Sequence, residues 1–440
     1  TALIRVTRAG ESSTAGEVQR LLERGLASRP AAAELADRLS GWIVGVVLVV
    51  SASTAAWWSF HDPSRALAAT VAVLIVTCPC ALALATPIGL TLAAARLARA
   101  GVLPARMSAI EPLARADSAV FDKTGTLTLL SPRLAALETF GGLDEEDACS
   151  IAAALERDSF HPIAKALGAA VGDGVPSASE VDHAPGRGVC GEVERVRWWL
   201  GSPGFAAGGA GVSLPAHIET ALAAARREGN PAALLLDGAG RGALFIFSED
   251  VRPGGADVVA SLRAEGIRRF ALLSGDPGEA AARLGASLGF DEARAAISPE
   301  TKLEWVRERQ ETGARLLFVG DGLNDAPALA AADVSMSFTQ APQISRLACD
   351  FLIARRDLGA VVDARRIARR TRRLLVQNVG WAVAYNVVSI PLAAAGLVPP
   401  WAAALGMSAS SLLVVANAMR LGSAGVSDAR ASVRLADARR

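Results

Sequence analysis

The sequence predicts a helical membrane bundle joined to a water-soluble, doubly wound α/β domain that carries an inserted second domain. Three observations lead there. Uncharged apolar runs at both ends of the chain exceed the ~18 residues that a spanning helix requires. The middle of the chain has an ordinary soluble composition, with short apolar strands that each end in a polar, glycine-containing loop. About 120 residues separate the first of these strands from the rest, which marks an insertion.

The composition agrees. A chain of 440 residues that is 51% apolar and 20% charged is oily for a soluble protein, so several units are expected, some outside water. Forty-five basic against 44 acidic residues leave a net charge of +1, which excludes nucleic acid as the principal partner. Five cysteines cannot form a disulfide scaffold, and Cys78 and Cys80 flank Pro79 inside an apolar run. The chain opens on Thr1 with no leader pattern, so it is expected to lack its natural start.

Trp42–Phe60 carries no charge, nor does Ala66–Ala95 over 30 residues, nor Leu374–Met419 over 46, the last interrupted at Gly396–Pro400. These stretches predict four spanning helices in two hairpins. Arg96, Arg99, Arg106 and Arg115 follow the second, and Arg365, Arg366, Arg369, Arg370, Arg372 and Arg373 precede the third. The positive-inside rule then puts residues 96–373 and both chain ends in the cytosol, with Trp42, Trp57, Trp58, Trp381 and Trp401 near the interfaces.

Ser118–Phe121, Phe270–Leu273 and Leu316–Val319 are the predicted strands of a parallel sheet whose ligands collect at the carboxyl ends. The first runs into Asp122-Lys123-Thr124-Gly125-Thr126-Leu127-Thr128, a carboxylate followed by amides and hydroxyls, as nucleophilic attack on a phosphoryl group requires. The second ends in Ser274-Gly275-Asp276, a hydroxyl and a tight turn. Pro299-Glu300-Thr301-Lys302 brings a compact cation. The third ends in Gly320-Asp321-Gly322-Leu323-Asn324-Asp325-Ala326-Pro327, where Asp321 and Asp325 offer hard oxygens to Mg²⁺. Only Lys123, Lys165 and Lys302 are lysine, against 42 arginines, and two of the three lie in these loops.

VFDKTGTLT together with GDGLNDAPAL resembles the P-type ATPases, on a haloacid-dehalogenase-like phosphorylation domain, over roughly Glu17 to Leu421. The resemblance implies that ATP phosphorylates Asp122. It implies that Thr124 and Asp321 bind Mg²⁺ with the phosphate, that Ser274 and Lys302 hold phosphoryl oxygens, and that Asn324 and Asp325 complete the shell. Lys123, Thr126, Gly275 and Asp276 belong to the same catalytic loops. The implied layout is an actuator exit segment or linker over 1–40, a hairpin over 41–111, the phosphorylation domain over 112–130 and 248–362, a nucleotide-binding domain over 131–247, a second hairpin over 363–421 and a tail over 422–440.

The insert carries Phe160-His161-Pro162 and Gly186-Arg187-Gly188-Val189-Cys190-Gly191. Glycines let a backbone approach a nucleotide, and an imidazole can stack on adenine. The pattern resembles the nucleotide-binding domain of the heavy-metal branch, with Phe160 replacing the usual acidic residue before His161. Glu156 and Asp158 are the candidate substitutes.

Cys78-Pro79-Cys80 sits mid-span. Residues two apart on a helix point ~200° from each other, but Pro79 opens the helix and lets two soft thiolates converge. Such a pair suits Cu⁺, then Zn²⁺ or Cd²⁺. Leu374–Met419 holds no Asp or Glu to balance a divalent charge, which favours a monovalent ion. Asn378, Tyr385-Asn386 and Pro391, then Met407-Ser408-Ala409-Ser410-Ser411, Val414, Asn417 and Arg420 resemble copper(I)-transporting members, where Tyr385, Asn386, Met407 and Ser411 complete the metal sites. Ser274-Gly275-Asp276, Val334–Ser337 and Trp381 resemble the subgroup that supplies copper to cytochrome oxidase assembly.

The resemblance implies ATP and Mg²⁺ as cofactors, Cu⁺ as cargo, a cytosolic copper chaperone or copper-thiol complex as donor, and a multi-pass place in the inner or plasma membrane. Gly10-Glu11-Ser12 only mimics the actuator loop, so this chain is expected to phosphorylate and then stall. The alternatives are a zinc or cadmium pump, a membrane-anchored haloacid-dehalogenase phosphatase, and a non-cycling fragment.

Overall fold

The computed structural model describes residues 31–423 apart from 78–79, 130, 160, 172–174, 185, 276–279, 321–324 and 340–348, with the backbone alone at 31–44 and 80–85. Two sheets and a group of long helices make up the molecule. The first sheet has seven strands: β1 (Val102–Pro104), β2 (Ser118–Asp122), β9 (Arg269–Leu273), β10 (Glu292–Arg294), β11 (Leu316–Val319), β12 (Val334–Phe338) and β13 (Phe351–Ile353), in the order β1-β13-β12-β11-β2-β9-β10. All pairings are parallel except β1 with β13.

Parallel strands buried on both faces read as continuous apolar runs, and SAVF, FALL and LLFV do so. They become β2, β9 and β11, three neighbours at the sheet centre with β2 in the middle. One face packs Phe121 and Phe270 edge-on against Phe290, at 5.7 and 6.3 Å. The other packs Val120, Ala271 and Phe318 on Trp305, Val306 and Leu329. Helices therefore cover both faces.

The second sheet is antiparallel, with β3 (Arg133–Phe140), β4 (Ala178–Ala184), β5 (Gly188–Val193), β6 (Val196–Gly201), β7 (Ala232–Asp237) and β8 (Gly242–Ser248) in the order β3-β8-β7-β6-β5-β4. The helices Glu145–Leu155 and Pro162–Ala169 pack on one face, Pro203–Ala210 and Ala216–Glu228 on the other. The chain leaves and re-enters the first domain side by side. Thr128 bridges Val251, the Leu129 amide donates to the Asp250 carbonyl at 2.9 Å, and Arg133 pairs with Asp250 at 2.6 Å.

Among the described residues, five helices form the remaining layer: Ala31–His61, Pro63–Val76, Cys80–Arg99, Gly359–Ala394 and Pro400–Ser423. Asp62 caps the second, accepting from the Ser64 amide at 3.2 Å, with Pro63 at the first helical position. Within the apolar stretch 66–95 one helix ends at Val76 and the next begins at Cys80. Gly359–Ala394 is continuous from the α/β domain into the apolar layer, and its buried Arg365 donates to the carbonyls of Leu113 and Ala116. By length and composition, one helix among the described residues, Pro400–Gly422, is long and apolar enough to cross a membrane.

Candidate functional site

Asp122 is the last residue of β2 and only 6% exposed. The next residues turn sharply: Thr124 at φ −78°, ψ 123° and Gly125 at φ 74°, ψ −8° are the central pair of a type II turn, whose second position demands positive φ and hence glycine. This turn folds the Lys123–Leu127 backbone beneath Asp122. Lys302 reaches the same point from the first turn of the helix Pro299–Glu311, which Ser298 caps by accepting from the Thr301 amide at 3.2 Å.

The Lys302 Nζ donates to Asp122 Oδ1 at 2.5 Å and to Asp325 Oδ1 at 2.7 Å, and all three side chains are buried. Burial works against the charged ammonium. The two carboxylates outweigh that penalty and hold it above the usual lysine value. Asp325 stands just before the helix Ala326–Ala331. A Cβ on Gly320 would lie 3.0 Å from Asp325 Oδ2, so a larger residue there would press on the carboxylate. Ser274 closes the cluster at the end of β9, 1% exposed, its amide donating to the Arg294 carbonyl at 2.9 Å and its carbonyl accepting from the Ile297 amide at 3.1 Å. Gly275 follows it, exposed to solvent.

Two buried oxygens here have no hydrogen-bond partner, Asp325 Oδ2 and Thr126 Oγ1. Buried polar atoms are rarely left so. A bare oxygen on one of two neighbouring buried carboxylates is the hard donor that Mg²⁺ takes, so this cluster fits the ion. Asp321, Asn324 and Asp276, assigned to the same shell from sequence, lie outside the described residues. Lys123 is buried but turned to the inter-domain connection, where it meets Glu249 at 3.2 Å and Thr128 donates to the same carboxylate at 3.0 Å.

Sequence reasoning missed Arg252. Its buried guanidinium donates to the carbonyls of Gly125, Thr126 (2.8 Å) and Arg356 (3.2 Å), and it stacks on Phe338 at 3.9 Å. It pins the turn that follows Asp122. One arginine among 42 carries no signal in sequence, and only the fold shows what this one holds.

In the insert, His161 caps the helix Pro162–Ala169, its Nδ1 accepting from the Ile163 amide at 3.2 Å, with Pro162 at the first position. Gly186 lies in the turn before β5 at φ 73° with open space where a Cβ would stand. Gly188 and Gly191 lie within β5. A Cβ on Gly188 would be 2.3 Å from the Leu200 carbonyl oxygen, and one on Gly191 3.0 Å from Leu155. These two glycines serve sheet packing, and Gly186 alone opens outward. Glu156 Oε2 is buried without a hydrogen-bond partner close in sequence to His161, whereas Asp158 is exposed.

In the helical layer, Cys78 lies outside the described residues and Cys80 opens the helix Cys80–Arg99. Tyr385 packs against the apolar cluster that holds Val73 and Val76. A Cβ on Gly406 would lie 2.9 Å from the Tyr385 hydroxyl, so that hydroxyl meets the neighbouring helix one residue before Met407. Asn386 donates to the Ala382 carbonyl at 2.9 Å and leaves its buried Oδ1 without a partner. Ser411 is half-buried, one residue beyond Ser410, which accepts from Trp381 Nε1 at 3.1 Å.

Residues 116–333 match the haloacid dehalogenase-like hydrolase family. The chain is 35% identical over 422 residues to the copper-exporting P-type ATPase of Mycobacterium tuberculosis, covering 95% of this chain and 55% of that protein. It is 36% identical over 425 residues to the nitrogen fixation protein FixI of Rhizobium leguminosarum bv. viciae, covering 96% and 54%. The chain thus spans about half the length of the curated relatives it matches. The crystal structure of a zinc-transporting PIB-type ATPase superposes with a TM-score of 0.74 at 26% identity, over 95% of this chain and 68% of that one. Because sequence and fold agree over nearly the whole chain, soluble domains and helical layer together, it belongs to the P-type ATPases, in their heavy-metal-transporting branch.

Proposed function

We propose that this chain carries the phosphorylation and metal-binding machinery of a pump that moves Cu⁺ out of the cytosol across a membrane at the expense of ATP. The observation that carries the reading is the Lys302 ammonium held between Asp122 and Asp325 at the carboxyl end of a parallel sheet. One Asp122 oxygen attacks the γ-phosphorus of ATP, the bond to the β,γ-bridging oxygen breaks, and ADP departs. Lys302 offsets the repulsion between carboxylate and phosphate. Ser274 and Thr126 offer hydroxyls to the phosphoryl oxygens, and Gly275, Asp276 and Asn324 complete the loops around them. Mg²⁺, held by Asp122, Thr124, Asp321 and Asp325, supplies charge neutralisation at the phosphate when bound.

The insert is the proposed ATP-binding domain, with His161, Pro162 and the turn at Gly186 as its contact surface. The unpartnered Glu156 Oε2 is the acceptor for the adenine amino group that Phe160 cannot provide. The five long helices form the membrane part, with four spans in two hairpins and the α/β domains in the cytosol. Cu⁺ passes between Cys78 and Cys80 and the group Tyr385, Asn386, Met407 and Ser411. The bare Asn386 Oδ1 and the absence of any Asp or Glu from Leu374–Met419 support this route. Zinc, the cargo named for a structural relative, is the competing reading.

Two measurements test the proposal. Incubated with γ-³²P-ATP and Mg²⁺, the chain should form an acid-stable, hydroxylamine-labile phosphoenzyme that Asp122→Asn abolishes. Label that persists in the variant overturns the assignment. Titration against competing chelators should show Cu⁺ bound in preference to Zn²⁺, with the preference lost in Cys78→Ser/Cys80→Ser. Preference for Zn²⁺ would move the chain to the divalent pumps.

A further inference from the structure

Where the cytosolic part of the helix Gly359–Ala394 meets its charge-free part, Arg366, Arg369, Arg370 and Arg373 recur at the spacing that places side chains on one helix face. Arg420 joins them from the helix Pro400–Ser423. With Glu265, Leu374 and Gln377 they line a cleft of about 470 Å³. Five guanidinium groups and one carboxylate line it, and Arg366 also meets Asp363, outside the lining, at 3.2 Å. Glu265 takes Arg366 at 3.1 Å and Arg369 at 3.4 Å, and Arg370 and Arg420 donate to neutral oxygens, the Arg420 carbonyl and Asn417 Oδ1. Among the described residues no carboxylate pairs with Arg370, Arg373 or Arg420. An adjoining cleft of about 290 Å³ shares Arg369, Arg373 and Gln377 and adds Arg372 and Val376. Beyond Val376, itself 59% exposed, Val379, Val383 and Val387 leave apolar surface bare along the same helix.

We infer that these joined clefts bind the headgroup of an acidic glycerophospholipid. Phosphate answers the surplus of guanidinium charge with charge-assisted hydrogen bonds. A free anion would leave Val376 and the apolar strip below it uncovered, whereas acyl chains cover them. Phosphate and hydrocarbon are thus called for within one helix turn, and an amphiphile carries both. The site differs from the phosphorylation and metal sites and uses none of their residues. It rests on the membrane reading above, because the strip below the cleft must face lipid. A lipid here bridges Arg420 to the helix that continues into the phosphorylation domain, so headgroup charge bears on how firmly those two helices are joined.

Native mass spectrometry of the full chain in neutral detergent tests this, with phosphatidylglycerol and phosphatidylcholine offered separately. Phosphatidylglycerol should be retained in preference, and Arg369→Gln/Arg373→Gln should weaken that retention roughly 30-fold, from about fivefold per arginine. Arg294→Gln, on the cytosolic sheet, should change nothing. Equal retention of both lipids, or undiminished phosphatidylglycerol on the double variant, overturns the site. Full displacement of the lipid by an equal concentration of inorganic phosphate would make it a free-anion site instead and also overturns it. Carbonate extraction of the expressing membranes separates the underlying reading: a chain stripped off by carbonate refutes the membrane assignment, whereas a chain that stays but shows no lipid preference refutes only the cleft.

Discussion

At the scale of single residues, two cations organise the proposed phosphorylation site, one through side chains and one through backbone carbonyls. Lys302 keeps two buried carboxylates within hydrogen-bonding distance of one ammonium. Lys302→Met removes the ammonium that two buried carboxylates share and should cost about 3–5 kcal/mol in denaturant unfolding. A raised ammonium value means the stability it contributes is fully present below the ordinary lysine pKa and fades only as pH rises through the higher folded value. The difference between wild type and variant should therefore stay flat from about pH 6 to about pH 9. Arg252 acts from beneath, through carbonyls of the turn that follows Asp122. Arg252→Gln should lower phosphoenzyme formation by about 10²-fold, since a small misplacement of the nucleophile is that expensive. ATP affinity, which the proposal places in the insert, should not move, and a loss of affinity equal to the loss of rate would remove Arg252 from its positioning role.

At the scale of elements, the strands β2, β9 and β11 were readable because each is a short apolar run that had to be buried on both faces. Strand, polar loop and helix in alternation specify a doubly wound sheet, and the sheet collects the loops at one edge. The glycines of the insert were less readable. Glycine serves close packing and open turns alike, and only the β5–β6 pairing, with Gly188 opposite Gly201, separates the two uses. Gly188→Ala forces a Cβ onto backbone and should destabilise the insert by about 1–3 kcal/mol, with ATP affinity falling only as the folded fraction falls. Gly186→Ala meets open space and carries only the strain of a left-handed residue, about 1–2 kcal/mol. Melting and calorimetry on the two variants check this, and an affinity lost at full stability in Gly188→Ala would return that glycine to the nucleotide site.

At the scale of the whole molecule, one helix, Gly359–Ala394, carries both the buried Arg365 anchor in the α/β domain and the Tyr385–Asn386 pair in the apolar layer. A rigid element that joins two sites is the simplest means of coupling them. Trp58 ties the two hairpins at the far end, its Nε1 donating to the Ala394 carbonyl at 2.9 Å. With four spans, that end is extracytoplasmic and Arg420 is cytosolic. Single cysteines introduced at Leu397 and at Arg420 should then react with a membrane-impermeant maleimide from opposite sides of sealed cells and inverted vesicles. Labelling of both from the same side would leave the hairpin on one face of the membrane.

Local order along the chain carries strand burial, the residue types at strand ends, the proline between two cysteines, and the charge-free stretches. Which side chains from distant segments share an environment follows from the fold alone. Lys302 lies 180 residues beyond the aspartate it grips, and Arg252 lies 126 beyond the carbonyl it holds. Lys123 sits beside Asp122 in the chain yet turns to Glu249 on the connection between domains. Short-range periodicity encodes which face of an element is buried, but a contact between two elements depends on the crossing of the whole sheet, and no window of sequence contains it.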